Sequence, residues 1–143
     1  MERYIHTGSD HFDVTSFLPI QNIDGWVKPK GGLWASPINA PYSWSKWKKD
    51  NNFNYQSDDS FKFTLIGGAR VLKIYKASQL DALPTQDTNL PHNWKVLDFE
   101  KLAESYDAML VMISNDDKLY WDLYGWDCDT LLVFNPDVVK EEV

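Results

Sequence analysis

The sequence has little cysteine, little histidine and no long apolar run. A single cysteine, Cys128, excludes a disulfide within the chain and a cluster of thiolate metal ligands. The three histidines, His6, His11 and His92, do not have the spacing of a zinc site, so we expect no metal. No segment approaches the roughly 18 consecutive apolar residues of a membrane span. These absences favour a cytoplasmic protein without a membrane partner.

Positive charge is also scarce, with 14 Lys and Arg against 21 Asp and Glu and a net charge of −7. Stable binding to a nucleic-acid backbone needs clustered basic side chains, so the composition disfavours it. The one basic run, Lys46-Trp47-Lys48-Lys49, is short and predicts the solvated face of a helix. The sequence also lacks a phosphate-binding loop and a Gly-x-Ser-x-Gly nucleophile elbow.

Aromatic residues are abundant, with seven each of Trp, Tyr and Phe in 143 residues. A chain of this length predicts a single domain spanning 1–143 that buries roughly two-thirds of its unfolded surface. Trp34, Trp44 and Trp47 lie close together in sequence. Such rings either fill a core or bind flat and cationic ligands, and both interpretations remain open at this stage.

Apolar and polar residues alternate in 61–65 and in 69–75, and Gly67-Gly68 lies between the two segments. This pattern predicts a β-hairpin. Segment 130–134 is predicted to be the last strand, ended by Asn135-Pro136.

An amphipathic pattern with an acidic start predicts a helix over 98–106, and an apolar run predicts a buried strand over 108–113. Helices and strands do not alternate regularly along the chain. The predicted fold class is therefore α+β, with a compact, mostly antiparallel sheet and a few flanking helices.

Two short predicted strands carry the candidate ligand contacts. Residues 3–6 end with His6, followed by Thr7-Gly8-Ser9, and residues 33–36 follow Gly31-Gly32 and contain Trp34. Glycine at a strand end lets a small molecule approach the backbone closely. The two stretches therefore predict a nucleotide-type pocket.

These stretches resemble motifs of the ADP-ribosyltransferases of the poly(ADP-ribose) polymerase and diphtheria-toxin type. Tyr4-Ile5-His6-Thr7-Gly8-Ser9 is similar to the strand whose histidine opens the NAD site, and Gly32-Leu33-Trp34-Ala35-Ser36 resembles the next motif, with Trp34 at its tyrosine position. Tyr42-Ser43-Trp44 is similar to the helix that follows. Residues 126–136 resemble the C-terminal segment, in which a glutamate opens a strand ending in Asn-Pro. Motif order and rough spacing agree across most of the chain.

The catalytic glutamate of that family has no counterpart here. An ungapped alignment at Asn135-Pro136 places Thr130 at the glutamate position and Asp129 one residue earlier. Asp127 and Asp129 would project on the same side if the strand begins early. The acidic role is thus taken by one of these aspartates or is missing.

The resemblance implies an ADP-ribosyltransferase-like split β-sheet and NAD as substrate. The implied catalytic residues are His6, Asp127 and Asp129. The implied NAD-binding residues are His6, Thr7, Gly8, Ser9, Trp34, Ser36, Ser43 and Trp44. In this scheme His6 contacts a ribose hydroxyl, the Trp rings contact the nicotinamide, and the Thr7-Gly8 backbone with Ser36 or Ser43 fixes the carboxamide.

The implied activity is transfer of ADP-ribose from NAD to a macromolecular acceptor, with protein favoured over nucleic acid. Such an activity would suit a bacterial or phage-encoded effector acting in the host cytoplasm. An NAD glycohydrolase, in which water is the acceptor, is a close alternative. The missing glutamate favours a non-catalytic protein-interaction module, and the excess of Trp leaves a sugar-binding domain as a third alternative.

Overall fold

The computed structural model describes residues 2–24, 26–51, 59–87, 96–123 and 125–143. Within these ranges the chain is α+β, with seven strands in one mixed open sheet and a few short helices. The strands are β1 (Tyr4–Thr7), β2 (Leu33–Pro37), β3 (Ser60–Leu65), β4 (Val71–Ile74), β5 (Ala108–Val111), β6 (Thr130–Val133) and β7 (Val139–Glu141). The α-helices are α1 (Trp44–Asp50), α2 (Phe99–Ser105) and α3 (Asp117–Asp122). Short 3-10 helices cover Val14–Ser16, Ala77–Ala82, Ile113–Asn115 and Pro136–Val138.

The strand order is β4-β5-β6-β2-β1-β3-β7, and the β4–β5 pairing is parallel while the others are antiparallel. The predicted α+β class with a mostly antiparallel sheet is confirmed at this level. Every residue of β5 and β6 is buried. Strands covered on both faces need continuous apolar runs, which is the pattern of these two segments. The predicted helix at 98–106 is α2, which Asp98 caps by accepting the Lys101 N–H.

The predicted hairpin between β3 and β4 is wrong. β3 lies between β1 and β7, while β4 pairs with β5 at the other end of the sheet. Asp107 holds the start of β4 against β5, because its carboxylate accepts the Arg70 backbone N–H and its own N–H donates to the Arg70 carbonyl. Gly67-Gly68 does form a turn, but the strands on either side of it pair with other strands and not with each other.

The prediction that 130–134 is the last strand is also wrong. After Asn135 the chain makes a 3-10 turn over Pro136–Val138 and returns as β7, which pairs with β3. The Asn135 side chain caps that turn by accepting the Asp137 N–H at 3.0 Å. Asn-Pro thus reverses the chain instead of ending the sheet.

The helix predicted to carry the basic run is α1. Ser43 caps α1 by accepting the Lys46 N–H, so the helix starts at Trp44. The basic run is not wholly solvated, because Lys48 is buried. Lys46 places its ammonium 5.7 Å from the centre of the Tyr42 ring.

The ladder between β1 and β2 opens after two residue pairs. Tyr4 pairs with Pro37 and Ile5 with Ser36, but no pairing follows along these two strands. Beyond that point each strand stays with its outer neighbour. His6 and Thr7 continue against β3, and Leu33–Ala35 pair with β6. We call the gap between His6-Thr7 and Leu33–Ala35 the sheet opening.

Two apolar clusters cover the opposite faces of the sheet. One packs α2 and α3 against β4, β5 and β6 around Phe99, Met109, Leu132 and Trp126. The other joins β1 and β3 with inner residues of β2, β5 and β6 on the second face. Strand alternation explains the division, since Leu132 faces the helices while its neighbours Leu131 and Val133 face the other way.

Truncation of Phe99 tests the helix-covered cluster. Phe99 is 0% exposed and its ring stacks 5.9 Å from that of Trp126. We expect Phe99→Ala to lower the free energy of unfolding by about 3 to 5 kcal/mol, measured by urea denaturation. The control Trp121→Ala removes a ring that is 65% exposed and should cost no more than about 0.5 kcal/mol. Equal losses in the two variants would contradict this packing.

Candidate functional site

A cavity of about 390 Å³ lies at the sheet opening. Five of the residues that the sequence nominated line it: His6, Thr7, Trp34, Trp44 and Asp127. The other lining residues are Lys28, Pro29, Ala35, Cys128 and Thr130. The early imidazole and the indole of β2 therefore belong to one cavity. Its size is within the range of small-molecule sites.

The imidazole of His6 bridges the sheet opening. Its Nδ1 lies 2.6 Å from the Trp34 carbonyl oxygen. Because a carbonyl can only accept a hydrogen bond, Nδ1 must carry the proton. In the neutral ring Nε2 is then an acceptor. A hydroxyl group of a ligand can therefore donate a hydrogen bond to it.

Gly8 lies beside that imidazole. Its φ of +123° lies in the region that glycine adopts without strain, and a Cβ there would come within 3.6 Å of His6 Nε2. Gly8 does not line the cavity, and its N–H donates to the Asp59 carbonyl at 2.7 Å. That N–H is consequently unavailable for the ligand contact predicted from the sequence.

Thr7 presents its backbone to the sheet opening. The Gly8 N–H donates a hydrogen bond to Asp59 on the β3 side. In an antiparallel pair, successive residues direct their backbone N–H and carbonyl groups alternately toward and away from the partner strand. The Thr7 N–H and carbonyl therefore point away from β3 and toward β2. The β2 ladder has already ended there. The Thr7 hydroxyl is buried and has no hydrogen-bond partner among the described residues. Buried polar groups are normally paired, so this is where a ligand or water would bind.

Trp34 is held in place and accessible to a cation. Its Nε1 donates to the Gly31 carbonyl at 3.1 Å, and its ring lies 5.2 Å from that of Trp126. The Lys28 ammonium lies 5.9 Å from the centre of the Trp34 ring. The Trp34 ring therefore packs against another ring and also offers a face to positive charge. Core packing and ligand binding, the two interpretations left open by the sequence, are compatible at this residue.

None of the three predicted NAD-binding serines, Ser9, Ser36 and Ser43, is among the residues that line the cavity. Ser36 is 1% exposed; its hydroxyl donates to the Asp129 carbonyl at 2.8 Å and accepts the Trp44 N–H at 2.9 Å. Ser43 caps α1, and the Ser9 hydroxyl donates to the His11 carbonyl at 3.4 Å. Ser36 and Ser43 therefore position Trp44 at the start of the helix, where its ring contributes to the cavity.

The two candidate aspartates have different environments. Asp129 is 0% exposed, and its carboxylate accepts three hydrogen bonds, from the Ser114 N–H and hydroxyl at 2.8 Å and from the Tyr42 N–H at 3.0 Å. Asp127 is half-buried and lines the cavity. Its carboxylate makes no hydrogen bond or ion pair with the part of the chain that the structure describes. Of the two, Asp127 is the one available to a ligand.

Thr130 and Cys128 close the inner side of the cavity. The Thr130 hydroxyl donates to the Cys128 carbonyl at 2.8 Å, so the residue at the family's glutamate position has a structural hydrogen bond. Burial raises the pKa of the Cys128 thiol to about 11. Sequence reasoning did not nominate Lys28, Pro29 or Cys128 for the site. The Lys28–Pro29 stretch has the composition of an ordinary turn-rich link, which gave no signal for a ligand contact.

Comparison with protein-family models, curated proteins and solved structures gives no match. The family resemblance therefore remains a prediction. Among the described residues, no three His, Cys, Asp or Glu side chains are grouped to hold a metal ion; His92 lies outside these ranges. Within the same ranges, no helix is long and apolar enough to cross a membrane.

Substitution of Asp129 and of Asp127 should have different effects on the free energy of unfolding. Asp129→Ala leaves three part-buried donors without an acceptor and should lower the free energy of unfolding by about 3 kcal/mol. Asp127→Asn removes a carboxylate without a partner among the described residues and should change it by no more than about 0.5 kcal/mol. Thermal and urea unfolding measure both. A large loss for Asp127→Asn would show that this residue has a structural role.

Cys128 should make stability fall at alkaline pH. The unfolded thiol ionises near pH 8.5 to 9, whereas the folded thiol has a pKa of about 11. The folded state therefore binds more protons in this window, and the free energy of unfolding falls as pH rises, by about 2 to 3 kcal/mol in total. Urea denaturation from pH 8 to 11 should show a shallower decline for Cys128→Ala. Identical pH slopes would contradict the buried thiol.

Proposed function

We propose that this protein is an NAD-dependent ADP-ribosyltransferase that transfers ADP-ribose to a macromolecular acceptor. The observation that carries the proposal is the meeting of His6, Thr7, Trp34 and Asp127 around one cavity at the sheet opening. The order of the sequence motifs adds support, because it agrees with the motif order of the family that they resemble.

In this proposal the nicotinamide ring enters the cavity against the tryptophan rings. The nicotinamide of NAD is a flat cation, and indole is the strongest aromatic face for positive charge. The Thr7 backbone N–H and carbonyl match the carbonyl and amide donor of a carboxamide. His6 Nε2 accepts a hydrogen bond from a ribose hydroxyl, since Nδ1 is committed to the Trp34 carbonyl.

Reaction breaks the bond between ribose C1″ and the nicotinamide nitrogen. The bonding electron pair leaves with nicotinamide, which becomes neutral, and the ribose develops positive charge. A carboxylate near C1″ stabilises that charge, and Asp127 is the lining residue with a carboxylate available. The acceptor nucleophile then forms a bond to C1″ and gives up its proton.

In this proposal Asp127 takes the role of the family's glutamate. Its side chain is one methylene shorter, and it lies three residues before Thr130, which aligns with that glutamate. The loop position before β6 brings it to the cavity wall, so its reach is set by the backbone. Lys28 supplies the nearby positive charge for the diphosphate of NAD. Because its ammonium lies over Trp34, it must move aside when the cationic nicotinamide binds.

Nicotinamide release from NAD tests the proposal. We expect His6→Ala to weaken NAD binding about tenfold, because it removes one hydrogen bond in a buried site. Asp127→Asn should lower the rate of release by about 100-fold, the scale of one electrostatic contact in a transition state. The control is His11→Ala, since that imidazole is exposed and lies outside the cavity.

The same reactions identify the acceptor. Labelled NAD should transfer ADP-ribose to protein in a cell lysate, detected by mass spectrometry. Release of nicotinamide without transfer would instead identify a glycohydrolase. NAD binding without release would favour a non-catalytic module, and unfolding of His6→Ala would remove His6 from the site.

A further inference from the structure

A second cavity of about 410 Å³ borders the first, and Asp127 lines both. It lies between α1, the start of α3 and the loop that precedes β6. Tyr42, Trp47 and Tyr120 line it, together with Asp117 and Asp127. The stacked pair Trp44 and Trp47, with centroids 4.9 Å apart, contributes one ring to each cavity. A ligand in the second cavity is therefore adjacent to the first.

The two cavities differ in charge. Lys28 lines the first, whereas no Lys or Arg is among the described residues that line the second. Neither Asp117 nor Asp127 makes a hydrogen bond or ion pair with the part of the chain that is described. Two unpaired carboxylates repel a phosphate, so the second cavity does not suit the diphosphate of NAD.

Aromatic rings beside carboxylates favour a cation. The Tyr42 ring already has the Lys46 ammonium 5.7 Å from its centre, and the Tyr42 hydroxyl is fixed by donating to Asp50 at 3.1 Å. A guanidinium suits this wall better than an ammonium because it is planar. It can stack on a ring while its N–H groups reach two carboxylates.

We infer that the second cavity binds a guanidinium side chain of the protein acceptor, with Asp117 and Asp127 as its anionic partners. This inference rests on the proposed function and names the acceptor class for that transfer. Asp127 lies between the acceptor and the ribose. One terminal nitrogen of the arginine forms a bond to C1″ while the nicotinamide bond breaks, and the nitrogen gives up its proton to Asp127 and then to solvent.

Binding without NAD tests the cavity by itself. N-acetyl-arginine amide and the neutral isostere N-acetyl-citrulline amide are titrated into the protein and followed by NMR chemical shifts. We expect the arginine compound to bind at least about tenfold more tightly, because citrulline lacks the charge. Asp117→Asn should weaken arginine binding by about fivefold to tenfold. The control Asp137→Asn removes the same charge at a residue outside the cavity and should leave arginine binding unchanged.

Three results would overturn the inference: no binding of the arginine compound, equal binding of arginine and citrulline, or equal effects of Asp117→Asn and Asp137→Asn. Adding NAD separates this inference from the proposed function. ADP-ribose on the arginine compound, and none on an N-acetyl-lysine amide, supports arginine as acceptor. Arginine binding with no release of nicotinamide would reject the transferase while retaining the guanidinium site. Nicotinamide release with no arginine binding would reject the guanidinium site while still supporting a reaction with NAD.

Discussion

The structure depends on where the ladder between β1 and β2 stops. After Ile5 pairs with Ser36, the His6 imidazole donates to the Trp34 carbonyl and bridges the gap between the two strands. Each strand keeps its outer partner, so the sheet opens without losing its continuity. The side-chain contact fixes the imidazole tautomer, and the end of the ladder leaves the Thr7 backbone directed toward the sheet opening.

Burial assigns different roles to two aspartates only two residues apart. Asp129 accepts hydrogen bonds from Ser114 and Tyr42, and so ties the chain before β6 to α1 and to the 3-10 turn after β5. That attachment holds the neighbouring Asp127 at the wall shared by the two cavities. The buried, hydrogen-bonded carboxylate of Asp129 thus positions the available carboxylate of Asp127. The stability of the fold is thereby linked to the proposed chemistry.

Sequence patterns located several elements well because the signal was local. Continuous apolar runs identified β5 and β6, and Asp98 with an amphipathic pattern identified α2. The same local reasoning failed for Gly67-Gly68, because a turn signal does not say which strands become neighbours. It also assigned Ser36 to a ligand, since nothing local indicates that a hydroxyl will be consumed by the Asp129 carbonyl and the Trp44 N–H.

The sequence by itself determined the α+β class and the positions of the main strands, and it nominated His6 and Trp34 for one pocket; Asp127 and Asp129 were nominated only through the family resemblance. Periodicity and residue chemistry are properties of neighbouring residues, so they can be read along the chain. Only the tertiary structure decided which strands pair, which aspartate is free and that Lys28 joins the site. Those outcomes depend on desolvation and hydrogen bonding between segments tens of residues apart, which no local pattern encodes.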